Sequence, residues 1–164
     1  MMQAHEPASD RGNDDSAPSI AEATAAYARA RDWDDSVHLA WRAAVTAVRA
    51  ADAARDTLAK AAARLREARD AVATVQALPP PQRGEGAHRA RRWHEASGAL
   101  RDATVSYASV NETVEAAVRL ERLRVMEFDH VRDDNPYVAA LWRECIRLGA
   151  NPETVDNCRE EVVD

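Results

Sequence analysis

The chain has 164 residues, of which 46% are hydrophobic and 30% charged, and its formal net charge is −6 at pH 7. No apolar run approaches the roughly 20 residues that a membrane-spanning helix needs. Residues 1–19 lack the basic start and the apolar segment of a signal peptide. We therefore expect a cytoplasmic protein without a membrane partner. The near-exclusive use of Arg over Lys is typical of a GC-rich bacterial genome.

The negative charge is concentrated at the two ends of the chain. Residues 1–18 contain four acidic residues and one Arg, and residues 151–164 contain five acidic residues and one Arg. Residues 55–101 instead contain ten basic and five acidic residues, a local net charge of +5. This asymmetry is the charge feature that bears most directly on function, because a basic region attracts anionic partners.

The first helical element is predicted to begin at Ser19. Residues 1–18 are polar and aperiodic and are predicted to form a disordered acidic tail, followed by a single helical domain over residues 19–164. Ser19 and Glu22 have the spacing of a capping box, which satisfies main-chain N–H groups at a helix start. No Gly or Pro occurs from Ser19 to Leu78, so a long helix can form there.

The segment 19–78 carries a heptad repeat, which predicts a coiled-coil seam. Small or apolar residues recur every seven positions, at Ala23, Ala30, Val37, Ala44, Ala51, Leu58, Leu65 and Val72. The phase continues through the polar residues 32–36. Two alternatives follow: one continuous helix, or two helices in phase with a break near Asp34, where an Asp serves as a new N-cap.

A second long helix is predicted over residues 87–134. Pro79, Pro80 and Pro81 end the first segment, and glycines in 84–86 allow the chain to turn. The new helix repeats apolar residues by seven, at Trp93, Leu100, Tyr107 and Val114. Folding back at this loop places Leu65 opposite Leu100, Leu58 opposite Tyr107 and Trp41 opposite Val125. We therefore predict a long antiparallel helical hairpin.

Two short helices, over residues 136–148 and 152–163, are predicted to complete an all-α fold as a small bundle. Asn135-Pro136 and Asn151-Pro152 each have the pattern of an N-cap followed by a Pro in the first turn. Cys145 and Cys158 are expected to face each other across the intervening turn. Without a signal peptide, two reduced thiols are favoured over a disulfide.

The second long helix has an extra apolar face from Leu120 onward, formed by Leu120, Leu123 and Met126. A helix with two apolar faces needs two partners, which here are either the C-terminal helices or another subunit. The leading hypothesis is therefore a non-enzymatic protein–protein interaction or assembly module, self-associating through the helical hairpin, with a homodimer as the expected form.

Basic side chains surround the predicted hairpin tip, with an aromatic ring beside them. The residues are Arg83, Arg89, Arg91, Arg92 and Trp93. Guanidinium groups bind phosphates through paired donors, and an aromatic ring can stack on a base. Three alternatives follow: a solvated helical surface without a binding role, contact with an acidic protein partner or self-assembly, or a nucleic-acid-associated accessory role.

The sequence predicts no catalytic residue and no cofactor. Glu127 and His130 have the Glu-x-x-His spacing of di-iron helical bundles, but such sites need two of these motifs and the chain has one. Asp129, Asp133 and Asp134 precede an expected helix start, where acids are favoured by the helix dipole. A metal-binding helical-bundle enzyme is therefore only a third hypothesis, and no metal site is predicted.

Overall fold

The computed structural model describes residues 18–156, and all the regular structure within them is helical. The helices are α1 (Ile20–Trp33), α2 (Asp35–Gln76), α3 (Gly86–Asp134), α4 (Pro136–Arg147) and α5 (Pro152–Val155). The predicted all-α class is confirmed. Cys158 and most of the predicted helix over 152–163 lie outside the described residues.

Residues 19–78 form two helices, the second of the two alternatives. The predicted capping box opens α1, with the Ser19 hydroxyl accepting from the Glu22 main-chain N–H and the Glu22 carboxylate accepting from the Ser19 N–H. Asp34 separates α1 from α2 and is the N-cap of α2. Its carboxylate accepts hydrogen bonds from the main-chain N–H groups of Ser36 and Val37, at 3.1 and 3.0 Å.

Helices α2 and α3 pack against each other along their length, which confirms the predicted antiparallel hairpin. Ala68 and Ala99 line one cleft between them together with Ala61 and Ser106, in keeping with the predicted register. The loop between the helices contains Gly84 at a φ of 100°, a left-handed conformation that an L side chain rarely adopts.

The hairpin has a slender part and a thick part. We call residues 49–117 the arm, in which two helices pack alone; its buried residues are Ala51, Ala61, Leu65, Val75 and Ala96. Three of these five residues are alanines, whose small side chains allow close packing of the two helices. We call residues 18–48 and 118–156 the head, in which α1, α4 and α5 join the open end of the hairpin.

The main hydrophobic core lies in the head. It contains Ala23, Tyr27, Ala30, Val37, Ala44, Phe128, Val138, Cys145 and Val155. Asn135 caps α4 by accepting from the main-chain N–H groups of Tyr137 and Val138, and Pro136 occupies the first turn as predicted. Helix α4 packs on α1, so the predicted small bundle is confirmed.

Candidate functional site

The predicted basic tip is exposed but only partly convergent. Arg83, Arg91 and Arg92 are exposed and form no ion pair with a residue in 18–156. Arg89 is engaged differently, because its Nη1 donates a hydrogen bond to the main-chain oxygen of Pro79. Arg91 and Arg92 are consecutive on α3 and therefore point about 100° apart. The tip thus presents separate charges around the helix rather than one pocket.

Trp93 lies at the base of this tip and is 42% exposed. It lines a shallow cleft with Val75 and Arg89. Part of the ring is therefore packed on the hairpin, and the remainder is accessible for stacking.

The predicted self-association face is uncovered by the described part of the chain. Leu120, Leu123 and Met126 are 46%, 58% and 67% exposed. Their spacing of three residues places them in one row along α3. The sequence suggested that either the C-terminal helices or another subunit would cover this face. Helix α4 and the described part of α5 do not cover it.

Glu127 and His130 lie at the surface near the end of α3 and are held by neighbours on the same helix. The Glu127 carboxylate accepts from Arg124 Nη1 at 2.6 Å, and His130 Nε2 lies 3.4 Å from an Asp134 oxygen. Across residues 18–156, no three His, Cys, Asp or Glu residues are grouped so that they could hold a metal ion.

The most organised polar cluster in the head begins with a buried arginine of α1. Arg31 is 6% exposed, and its guanidinium carbon lies 3.8 Å from the centre of the Trp41 ring on α2. Its Nε donates to the carboxylate of the adjacent Asp32 at 2.9 Å. A cation stacked on an indole in this way is stabilised by the ring quadrupole.

The same arrangement occurs a second time, at the junction of α3 and α4. Arg132 is 4% exposed, and its guanidinium carbon lies 4.0 Å from the centre of the Trp142 ring. Its Nε donates to the carboxylate of the adjacent Asp133 at 3.1 Å. Each of the two arginines thus has an aspartate beside it and a tryptophan beneath it.

These clusters belong to an internal sequence repeat. The pattern Arg-Asp-x-Asp/Asn-x-x-Val-x-x-x-Trp-Arg occurs at residues 31–42 and again at residues 132–143. The Asp/Asn position is Asp34 in the first copy and Asn135 in the second, and both residues cap the helix that follows. Each copy is therefore a helix, a break at a capping residue and a second helix.

The repeat extends to the hydrophobic core. Tyr27 and Phe128 lie four residues before the two arginines, and both are fully buried. Val37 and Val138, three residues after the capping residues, are 0% and 1% exposed. The head is thus built from two similar helix–break–helix units, one from each half of the chain.

Asp156, which follows α5, connects the two units. Its carboxylate accepts from the Tyr27 hydroxyl at 2.7 Å and from Arg132 Nη1 at 2.9 Å. Its main-chain oxygen accepts from Trp41 Nε1 at 2.8 Å and from Arg31 Nη1 at 3.5 Å. One residue therefore receives donors from both copies of the repeat.

Burial and charge fix the protonation states in this network. Burial raises the pKa of Tyr27, and the charge of Asp156 raises it further, so the phenol remains a donor. Burial lowers the pKa of Arg132, but Asp156 and Asp133 outweigh it and the net shift is upward. Burial raises the pKa of Asp129, although Arg132, 3.1 Å away, opposes that shift.

A groove of about 730 Å³ opens beside the second copy of the repeat. Its apolar lining comes mostly from α3, and its charged groups come from α2, α3 and the residue that follows α5. The lining residues are Val48, Arg55, Val118, Glu121, Arg122, Val125, Met126, Phe128, Asp129, Arg132, Trp142, Pro152 and Asp156. A mostly apolar concavity with a few placed polar groups is the usual form of a ligand site.

The two tryptophans of the repeat differ in one respect. Trp41 Nε1 donates to the Asp156 main-chain oxygen, whereas Trp142 Nε1 is buried and has no hydrogen-bond partner among residues 18–156. An unsatisfied buried donor costs about 1–3 kcal/mol. The Trp142 side chain is also one of those that line the groove.

Other charged residues of the groove lining differ in whether they are paired. Arg55 Nη2 donates to the Glu121 carboxylate at 2.6 Å and so links α2 to α3. Arg122, also in the lining, is exposed and forms no ion pair with a residue that the structure describes. The groove lining therefore includes one arginine–glutamate pair and one arginine without an ion pair to a described residue.

No protein-family model, curated protein or solved structure matches this chain. Within residues 18–156, no helix combines the length and the apolar composition that crossing a bilayer requires.

The heptad periodicity predicts the helices but does not predict the arginine–tryptophan clusters of the head. The heptad pattern places Val37 and Trp41 at seam positions and assigns no role to Arg31 or Arg132. The detectable signal was the repetition of Arg-Asp and Trp-Arg pairs at the same spacing in both halves. The role of Asp156 leaves no such signal, because a single acidic residue after a short helix is common.

Proposed function

We propose that this protein is a non-enzymatic interaction module that self-associates through the head end of α3. The observation that carries the proposal is the exposed row of Leu120, Leu123 and Met126. Burying three such side chains, each already partly covered, contributes on the order of 1 kcal/mol per side chain in each copy.

The row suits a two-fold symmetric contact between two antiparallel α3 helices. Leu123 lies at its centre, so an axis through Leu123 would pack Leu120 of one copy on Met126 of the other. The same axis would bring Arg119 opposite Glu127, and both side chains are exposed, at 69% and 57%. Apolar and charged positions are therefore self-complementary about one residue.

Light scattering coupled to size-exclusion chromatography at micromolar concentration tests this proposal. The wild-type chain is expected to elute as a dimer, and the triple substitution Leu120→Ser, Leu123→Ser, Met126→Ser as a monomer. Leu39→Ser is the matched control, because Leu39 is 66% exposed on α2 and outside the row. A wild-type chain that stays monomeric throughout would refute the proposal.

A charge exchange tests the orientation of the two copies. Arg119→Glu is expected to weaken the dimer by placing two carboxylates together, and adding Glu127→Arg is expected to restore it. A double variant as weak as the single one would exclude the antiparallel arrangement about Leu123.

A nucleic-acid-associated role is the second candidate, favoured by the exposed guanidiniums of Arg83, Arg91 and Arg92. Binding of this kind would be weak and would fall steeply as salt is added, because it rests on phosphate contacts. Fluorescence anisotropy with labelled DNA and RNA at low salt measures it, with Arg91→Ala and Arg92→Ala combined as the test variant. Absence of binding at low salt would eliminate this candidate.

A further inference from the structure

Two large aromatic side chains are exposed where the helices of the head break. Trp33, the last residue of α1, is 90% exposed, and Tyr137, in the first turn of α4, is 69% exposed. Both line one cleft of about 490 Å³, together with Arg29 and the capping residues Asp34 and Asn135. Tryptophan, tyrosine and arginine are the residues that most often carry the binding energy of protein interfaces.

The two rings are not part of the repeat that builds the head. The sequence has Asp134 at the position equivalent to Trp33 and Ser36 at the position equivalent to Tyr137. Each ring is therefore present in one copy of the helix–break–helix unit and absent from the other, so the unit forms without it. Exposed aromatic side chains that share a cleft are typical of an interaction site.

The cleft also offers hydrogen-bond donors. The Arg29 side chain is exposed and forms no ion pair with a residue in 18–156, and the Trp33 indole lies at the surface. A polyproline II segment presents main-chain oxygens, because it has no internal hydrogen bonds and proline has no N–H group. Aromatic-lined grooves are the usual binding sites for such segments. The cleft therefore has the chemistry of a site for consecutive prolines.

The chain carries a segment of this kind at the opposite end of the hairpin. Pro79, Pro80 and Pro81 are consecutive and exposed, and residues 79–82 are not helical. Consecutive prolines favour the polyproline II conformation, which needs little further ordering on binding. The hairpin tip is therefore a ligand of the class that the cleft suits.

The charges at the two ends are complementary. Residues 29–38 and 130–137, which include the cleft, contain five carboxylates and three arginines. Two of these arginines, Arg31 and Arg132, are buried and paired, whereas Asp35 is exposed and forms no ion pair with a described residue. Residues 79–92 of the tip contain four arginines and one glutamate. An acidic surface beside the cleft thus favours the approach of the basic tip.

The distance between cleft and tip decides which copy supplies the prolines. Helix α2 begins beside the cleft and ends beside the tip, and its 42 residues correspond to a length of about 63 Å. Because α3 packs along α2, the tip cannot fold back onto the cleft of its own copy. The prolines that reach the cleft must come from a second molecule.

We propose that the cleft formed by Trp33 and Tyr137 binds the proline segment 79–81 of a second copy of this chain. The rings pack on the prolines, and Arg83 comes beside the carboxylates near the cleft. The contact joins different surfaces on the two copies, so its repetition produces an open linear assembly. It uses no residue of the proposed self-association row and does not depend on it.

Sedimentation velocity measures this contact in the full chain carrying the triple serine substitution of that row, so that the two proposals fail or succeed independently. At low salt, the average sedimentation coefficient is expected to rise steadily with protein concentration, as in an open assembly. Added salt should reverse the rise, because it screens the charges at the two ends. A control chain with Leu39→Ser, which changes an exposed side chain outside the cleft, should assemble in the same way.

Two pairs of substitutions, made in the same chain, remove one end each. Trp33→Ser with Tyr137→Ser removes the cleft rings, and Pro80→Ser with Pro81→Ser removes two prolines of the tip. Each pair is expected to weaken assembly about tenfold or more, in keeping with the loss of an interface anchor. All four side chains are exposed, so circular dichroism should show unchanged helix content.

Mixing the two paired variants provides the sharpest test. The first retains an intact tip and the second an intact cleft, so together they can form one contact and no more. A discrete one-to-one complex is expected, although each variant alone remains monomeric. A symmetric contact between identical surfaces would not produce this restoration.

Three results would overturn the proposal. The first is a chain that stays monomeric up to millimolar concentration at low salt. The second is a failure of the mixed variants to form a complex. The third concerns the capped peptide Pro-Pro-Pro-Gln-Arg. If the peptide shifts the Trp33 indole signal in NMR spectra while the chain stays monomeric, the cleft belongs to a proline-rich segment of another protein.

Discussion

Asn135 Nδ2 donates a hydrogen bond to Asp34 Oδ2 at 2.8 Å, and each of these residues is the N-cap of a helix. The two breaks in the chain, 101 positions apart, are therefore fastened to each other. Asp34 caps its helix with Oδ1 and accepts from Asn135 with Oδ2. Asn135 caps its helix with Oδ1 and donates to Asp34 with Nδ2. This contact joins the two helix–break–helix units at their capping residues.

Substituting these two residues should reveal their coupling. Asp34→Ala and Asn135→Ala are each expected to lower the free energy of unfolding by about 1 kcal/mol through loss of a cap. The double variant should lose less than the sum, by about 0.5–1 kcal/mol, because each single change already breaks the shared hydrogen bond. Urea unfolding followed by circular dichroism measures the cycle, and strict additivity would show that the 2.8 Å contact contributes nothing.

Acid should weaken this junction. Hydrogen bonds from the Ser36 hydroxyl and then the Val37 N–H hold the pKa of Asp34 below its usual 3.8. A carboxylate with a lowered pKa stabilises the fold above its unfolded pKa, and that stability disappears as the pH falls through the folded pKa. Between about pH 4 and pH 2, the wild type should therefore lose more stability than Asp34→Asn, which does not titrate. Urea unfolding at several pH values measures this difference.

The two repeat tryptophans should respond differently to the same substitution. Trp41→Phe removes a hydrogen bond to the Asp156 oxygen and leaves that acceptor without its indole donor, so it should cost about 1–2 kcal/mol beyond the packing loss. Trp142→Phe removes a donor that has no acceptor among the described residues, so only the packing loss should remain. Thermal unfolding of both variants provides the comparison. Equal destabilisation would contradict the assigned difference between the two sites.

Arg132 should be among the least replaceable residues of the head. It is 4% exposed and lies 3.1 Å from Asp129 and 2.9 Å from Asp156. Arg132→Met keeps the length of the side chain but leaves these carboxylates without their cation, and it should cost about 3 kcal/mol or more. Arg49→Met, at an exposed position of α2, should change the stability by less than about 0.5 kcal/mol. A similar result for both variants would show that the buried charge is dispensable.

The hairpin was predictable because it rests on a pattern that repeats along the chain. Residues such as Ala51 and Leu65 recur at heptad spacing, and three prolines followed by glycines fix the turn. The break at Asp34 was less certain, because the heptad phase continues through it and only the capping hydrogen bonds distinguish two helices from one. Those hydrogen bonds depend on the conformation of a single residue, which a periodic pattern does not specify.

The head network was not predictable in the same way. Arg31 and Arg132 are charged residues that a hydropathy pattern assigns to solvent. Both are buried because a tryptophan and at least one carboxylate lie against each of them. Those neighbours come from four helices, so the favourable contacts exist only once the tertiary structure has formed. The exposed face at Leu120, Leu123 and Met126 was predictable, because an apolar surplus on one helix is visible in the sequence itself.

Because of the repeat, the loop at residues 77–85 connects two halves of the chain that have similar structures at the head. Each half of the chain brings one complete helix–break–helix unit to the head, so residues 18–76 and 86–156 meet much as two non-identical subunits would. A nick in the loop would leave the arm seam, the head core and the Asp34–Asn135 contact in place. The molecule is in this sense a tethered heterodimer, and the loop acts by raising the effective concentration of one half for the other.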